Sequence, residues 1–178
     1  MVRTASAAAV GADFRLDRLE GVTEMIAECA SILSSEGLRA GLHNHVSSWV
    51  ETEQEIDFVL GALGDDVLGA SFDIGHLAWA GIDAVSMLRR HSDRIVDLHI
   101  KDVAAASRAE PDSYDHTVDA GVFREPGTGD LDLVAILRAL PPEFDGWIVI
   151  EVDRPTMPPA ESARVAHAWV ERISPSLR

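Results

Sequence analysis

The sequence predicts an α/β fold on a parallel sheet, and three observations carry that prediction. Four short stretches, 38–42, 67–72, 94–100 and 147–152, are rich in apolar residues, as strands covered on both faces are. They alternate with segments of helical apolar spacing, the pattern of successive βα units. Each strand also carries, at or just past its end, a residue suited to metal ligation or proton transfer: His43, Asp73, His99 and Glu151.

The elements follow in order. The first dozen residues read as a loose lead-in. From Phe14 to Glu36 apolar residues recur at helical spacing (Leu16, Leu19, Val22, Ile26, Cys29, Ile32, Leu33), and Gly37 stops the helix. The strand Leu38 to Leu42 runs into His43-Asn44-His45. Thr52 to Leu63 is helical, with Thr52 as N-cap and Glu55 at the capping-box spacing. Val67 to Phe72 is the second strand, Ile82 to His91 the third helix and Arg94 to Ile100 the third strand. A polar loop with Pro111 and Pro126 spans Ala104 to Asp130. Leu131 to Leu140 is a helix with Asp130 as N-cap. Trp147 to Val152 is the fourth strand, and Ala160 to Ile173 the final helix after a proline-rich turn. The expected chain is a single domain, 1–178: one helix followed by four parallel βα units.

Composition narrows the function classes. Of 178 residues, 47% are hydrophobic and 25% charged, which suits a globular domain and not a disordered one. Fifteen basic against 30 acidic residues leave a net charge of -15. Such a surface repels phosphate backbones and anionic membranes, so neither nucleic acid nor membrane is an expected partner. No apolar run approaches the roughly 18 residues of a membrane span. The opening MVRTASAAAVG is too short and too weakly apolar for a signal peptide. Cys29 is the only cysteine, so no internal disulfide forms and a cytoplasmic location is expected.

Sites in parallel α/β folds form at the C-terminal ends of the strands. His43, Asp73, His99 and Glu151 converge there if the sheet curves as a barrel. Imidazole and carboxylate donors together suit Mn²⁺, Co²⁺, Zn²⁺ or Fe²⁺, and suit Mg²⁺ less. Each residue also has a plainer reading. Asp73 serves as a helix N-cap, His76 as a loop histidine packed on Trp79, and His99 as a satisfied core histidine. Glu151 in an apolar strand is costly unless paired. Lys101, the only lysine of the chain, shares a strand face with His99, and Asp153 shares one with Glu151. Gly127-Thr128-Gly129 reads as turn geometry and not as a phosphate cradle.

Read in order, "GLHNH", "FDIGHLAWAG", "DRIVDLHIKDV", "GVFREPGTGDLD" and "GWIVIEVDRP" resemble the xylose isomerase-like sugar isomerase/epimerase superfamily, with the inosose dehydratase branch nearest. The resemblance spans about residues 14–173. It implies a (β/α)₈ barrel with a divalent metal at its C-terminal mouth. Four of eight units make this chain a partial, half TIM barrel that lacks the N-terminal half. The resemblance places metal ligands at Asp73, His99 and Glu151. Epimerases of the family carry a Glu where this strand ends in His43, so His43 either ligates in its place or binds substrate. Mn²⁺ or Co²⁺ is the expected ion, with Zn²⁺ or Fe²⁺ as alternatives. Glu151 is the implied base and His76, or His43, the acid. Lys101 adds fixed positive charge near developing oxyanions. His43, His45, His76 and Lys101 are the implied substrate contacts.

The implied activity is dehydration of a sugar or keto-polyol by proton abstraction next to a carbonyl, as in inosose dehydratases. The alternatives are sugar or sugar-phosphate isomerisation or epimerisation on the same site, and a non-catalytic half-barrel acting as an interaction module. A half-barrel leaves two edge strands uncovered. Besides a small sugar or polyol, the expected partners are therefore further copies in a homo-oligomer or a complementary barrel half.

Overall fold

The computed structural model describes residues 2–3, 15–104 and 114–177. Phe14, most of the lead-in, residues 105–113 with Pro111, and the side chain of His116 lie outside the described residues.

A short strand β1 (Val2–Arg3) precedes helix α1 (Leu16–Ser35). Then follow β2 (Gly41–His43), α2 (Glu53–Ala62), β3 (Gly69–Asp73), α3 (Ile74–Trp79), α4 (Ala84–Arg90) and β4 (Ile95–Ile100). The remainder comprises β5 (Asp102–Val103), α5 (Tyr114–Asp119), β6 (Phe123–Arg124), α6 (Leu133–Leu137), β7 (Trp147–Ile150) and α7 (Pro159–Ile173). Five strands form one parallel sheet in the order β1-β2-β3-β4-β7. Among the described residues the sheet is open, with β1 and β7 at its edges.

The expected strands and main helices are present, with four differences. β1 adds a fifth strand from within the stretch read as lead-in. The D-x-G-H segment is not loop but α3, because the Asp73 side chain accepts from the backbone N–H groups of Gly75 and His76 and starts a helical turn. The long polar loop contains α5 and a small antiparallel pair, β5 with β6. The helix expected from Leu131 starts at Leu133 with Asp132 as N-cap. Asp132 Oδ1 accepts from the Ala135 N–H at 3.0 Å, so the cap falls two residues after Asp130.

The sheet has two unlike faces. Leu42, Ala70, Phe72, Leu98 and Ile100 are buried against the helices with Leu19, Ile26, Ile56, Leu60 and Met87. Alternation turns the intervening residues to the other face. These are His43, Ser71, Asp73, Asp97, His99 and Lys101, so this second face is polar. α2 starts on a full Thr52–Glu55 capping box, and Arg18 of α1 pairs with Glu55. The buried Arg94 guanidinium donates to the carbonyls of Leu60, Leu63 and Leu68, closing the C-terminal end of α2 onto the start of β4. The Leu60 carbonyl, in the last turn of α2, is one that the helix itself leaves open.

Candidate functional site

The polar face ends in a cluster at the C-terminal edge of the sheet. Register brings the first members together: Asp73 and His99 are direct neighbours across β3 and β4. Asn44, just past β2, clamps the end of β3. Its amide donates to the Asp73 carbonyl at 3.1 Å, and its carbonyl accepts from the Asp73 N–H at 2.9 Å. Asp73 Oδ1 accepts from the Gly75 and His76 N–H groups at 2.9 and 3.1 Å. Its Oδ2 lies 3.0 Å from Lys101 Nζ. Capping and ion pairing therefore use separate oxygens of one carboxylate.

Lys101 is fully buried. Its ammonium also lies 2.7 Å from Asp153 Oδ2, 3.3 Å from Glu151 Oε1 and 3.2 Å from His76 Nε2. Its stem passes directly over Gly75, where a Cβ would collide with Lys101 Cγ and Cδ. The glycine of the D-x-G-H motif is thus explained by the close approach of a lysine. Glu151 completes the cluster with Oε2 2.6 Å from His99 Nδ1. On the outer side, the Tyr114 hydroxyl donates to Asp153 Oδ1 at 2.7 Å.

The electrostatics follow from this crowding. Burial pushes the Asp73 carboxyl up to about 6, against the opposing pull of Lys101. Glu151 is held well below the usual carboxylate range by the His99 hydrogen bond, with Lys101 adding to the effect. For Lys101, burial works against the charge, but Asp73, Asp153 and Glu151 outweigh it and raise its pKa.

All seven predicted site residues meet here. β2 ends at His43, and His43 and His45, with rings 6.4 Å apart, join different ligand groups. His43 joins Asp73 and His99, and each of these offers a ligand atom within 4.8 Å of the others. His45 joins His76 and Asp153 in a second group of the same kind, with its ring 3.8 Å from that of His76. The two imidazoles and the carboxylate of the His43 group, all buried, fit a divalent cation of borderline softness. Glu151 lies outside the tight group of three and reaches it through His99. Tyr114 and the Asn44 clamp were not singled out from the sequence. Tyr114 falls in the stretch that the sequence reads as a polar loop, with no periodicity to mark α5, and Asn44 gave no signal beyond its place between two histidines. Asp102 is structural: its carboxylate accepts from the N–H groups of Gly127, Gly129 and Leu131. It thereby shapes the turn in which Gly127 adopts a φ of 82°.

The model of the xylose isomerase-like TIM barrel family matches residues 2–173. The rhizopine catabolism protein MocC of Rhizobium meliloti is 32% identical over 167 residues, covering 90% of this chain and 51% of that protein. An inosose dehydratase of Lactiplantibacillus plantarum is 29% identical over 148 residues, covering 79% of this chain and 49% of that enzyme. The chain thus spans about half the length of the curated relatives it matches. The crystal structure of the IOLI protein with a bound zinc atom superposes with a TM-score of 0.70 at 21% identity, covering 93% of this chain and 60% of that one. That similarity extends to the fold. With the family model matched from the first strand to the last helix, the chain belongs to the xylose isomerase-like TIM barrel family.

Proposed function

We propose that this chain carries the metal-binding part of an inosose dehydratase-like enzyme, which acts on a sugar or keto-polyol by proton abstraction next to a carbonyl. The observation that supports it is the meeting of His43, Asp73, His99, Lys101 and Glu151 at the strand ends. His43, Asp73, His99 and Glu151 would hold a divalent ion. Mn²⁺ or Co²⁺ comes first in this reading, then Zn²⁺, the ion named for the IOLI structure, or Fe²⁺. Such an ion supplies Lewis-acid polarisation of a ketone and its neighbouring hydroxyl.

The chain's own groups do the rest. Glu151 stays ionised through its bond to His99 and is the base for the α-proton. Lys101 keeps a fixed positive charge where an oxyanion develops. A lysine ammonium can only donate, so His76 accepts at Nε2 and carries its proton on Nδ1. In this reading His76 gives the Nδ1 proton to the departing hydroxyl as Lys101 passes one to Nε2, and the proton taken up by Glu151 returns to Lys101. His45, its ring 3.8 Å from that of His76, is the substrate contact in this reading, and His43 takes that role where it does not hold the ion.

The names of the curated relatives favour dehydration over epimerisation. Incubation with inososes and Mn²⁺, followed by mass spectrometry, tests this: product lighter by one water supports dehydration, and unchanged mass supports epimerisation. Glu151→Gln is expected to abolish turnover, and unchanged turnover would remove Glu151 from the mechanism. The reading includes a partner. Trp147 and Ile148 on the edge strand β7 are 80% and 43% exposed, which supports cover by a second copy or a complementary barrel half. Sedimentation velocity is expected to show an assembly that Trp147→Asp weakens.

A further inference from the structure

The strand ends hold two groups of potential metal ligands. One is His43, Asp73 and His99. The other is His45, His76 and Asp153. The second group has the right donor types for a divalent ion, but two of its three members already hold a cation. Lys101 Nζ lies 2.7 Å from Asp153 Oδ2 and 3.2 Å from His76 Nε2. Of the first group it reaches Asp73, 3.0 Å from Oδ2, so it competes with an ion there for one donor and not for two. The ammonium occupies donor atoms that a metal ion would need, because Asp153 Oδ2 and His76 Nε2 face Lys101, and two cations side by side on the same donors repel. The stem is fixed as well. It runs over Gly75, the residue whose missing side chain leaves it room, and Tyr114 holds Asp153 from the far side.

We propose that Lys101 is the resident cation of the His45–His76–Asp153 group and thereby limits the centre to one metal ion. The inference rests on the reading of His43, Asp73 and His99 as metal-binding. Without the ammonium, the second group becomes an ion site in its own right. Lys101 then has a role separate from any contact with substrate: it sets how many metals the site holds.

The test is metal content per chain after equilibration with Zn²⁺ and gel filtration, read by elemental analysis. Wild type is expected to hold one ion, lost in Asp73→Ala. Lys101→Met is expected to hold two, and Lys101→Met combined with His45→Ala one. Lys101→Arg keeps the charge and is expected to stay at one. A single ion in Lys101→Met, or two in wild type, would overturn the proposal. If wild type holds none, the metal reading of the first group fails. Even then Lys101→Met must gain one ion that His45→Ala removes, and no such gain overturns the proposal. Circular dichroism with and without Zn²⁺ covers the case of poor folding. A Lys101→Met chain that folds only on taking up two ions supports the proposal. Lys101→Met and Lys101→Gln both unfolded in saturating Zn²⁺ would overturn it, since no ion then replaces the ammonium.

Discussion

Gly75→Ala probes the most crowded point of the site. On propensity alone the change stabilises, since alanine in place of glycine inside a helix is worth about 1 kcal/mol. Gly75 sits in the first turn of the six-residue α3, so the gain there is smaller. Against it stands the steric term. The new Cβ would collide with Lys101 Cγ and Cδ, and overpacking of this kind costs about 1–3 kcal/mol. Relief requires the Lys101 stem to move, which pulls its ammonium from Asp73 and Asp153. Losing a buried ion pair costs about 3–5 kcal/mol when complete. A partial shift therefore gives a net destabilisation of about 2–4 kcal/mol. For a chain of this size that corresponds to a fall in melting temperature of roughly 5–15 °C. The control is Gly21→Ala. Gly21 lies exposed in the middle of α1 and its Cβ would meet nothing within 4 Å, so this variant is expected to gain up to about 1 kcal/mol. Urea denaturation of both variants beside wild type reads the two signs. A Gly75→Ala chain as stable as wild type would refute the packing of Lys101 on Gly75.

Other expectations can be checked with the same material. Asn44→Ala leaves the Asp73 N–H and carbonyl without their side-chain partner. At about 1–3 kcal/mol per buried group, it is expected to lower stability by about 2–5 kcal/mol in urea denaturation and to weaken metal uptake. Asp73, pushed up to about 6 by burial, must lose its proton to bind an ion. Apparent Mn²⁺ affinity in calorimetry is therefore expected to rise through pH 6 and level off above it, and a flat profile from pH 5 to 7 would count against Asp73 as ligand. In the metal-free chain the same raised value favours the protonated form. Its stabilising contribution is complete below about pH 3.8 and is lost as pH rises through about 6, and Asp73→Asn should remove that slope from the pH dependence of urea midpoints. Glu151 has the opposite sign. Held low by His99, it stabilises above its ordinary value and loses this as pH falls, so Glu151→Gln is expected to lessen acid sensitivity. Tyr114→Phe, which removes the bond to Asp153, should cost about 1 kcal/mol in the same denaturation assay.

The sequence by itself determined the order of the four main strands with their principal helices and the strand-end residues. Apolar spacing marks the helices because each must bury one stripe, and Thr52–Glu55 announces its helix start through short-range bonding alone. Asp73 and His99 were legible because each stands at the end of an apolar run. The apolar runs also suggested strands covered by apolar neighbours on both faces, but the second face proved to carry His43, Ser71, Asp73 and Lys101. What only the tertiary structure decided is how these residues are shared out. β2 ends at His43, with His43 and His45 in different ligand groups, and the Asn44 clamp fixes the level at which β3 ends. The position of Lys101 depends on a glycine 26 residues away in sequence. Tyr114 reaches Asp153 from a stretch with no periodicity to mark it. The reason is physical: periodicity and capping are local and survive in the sequence, whereas contacts between charges depend on strand register and on where each strand stops, which form only when the chain closes on itself.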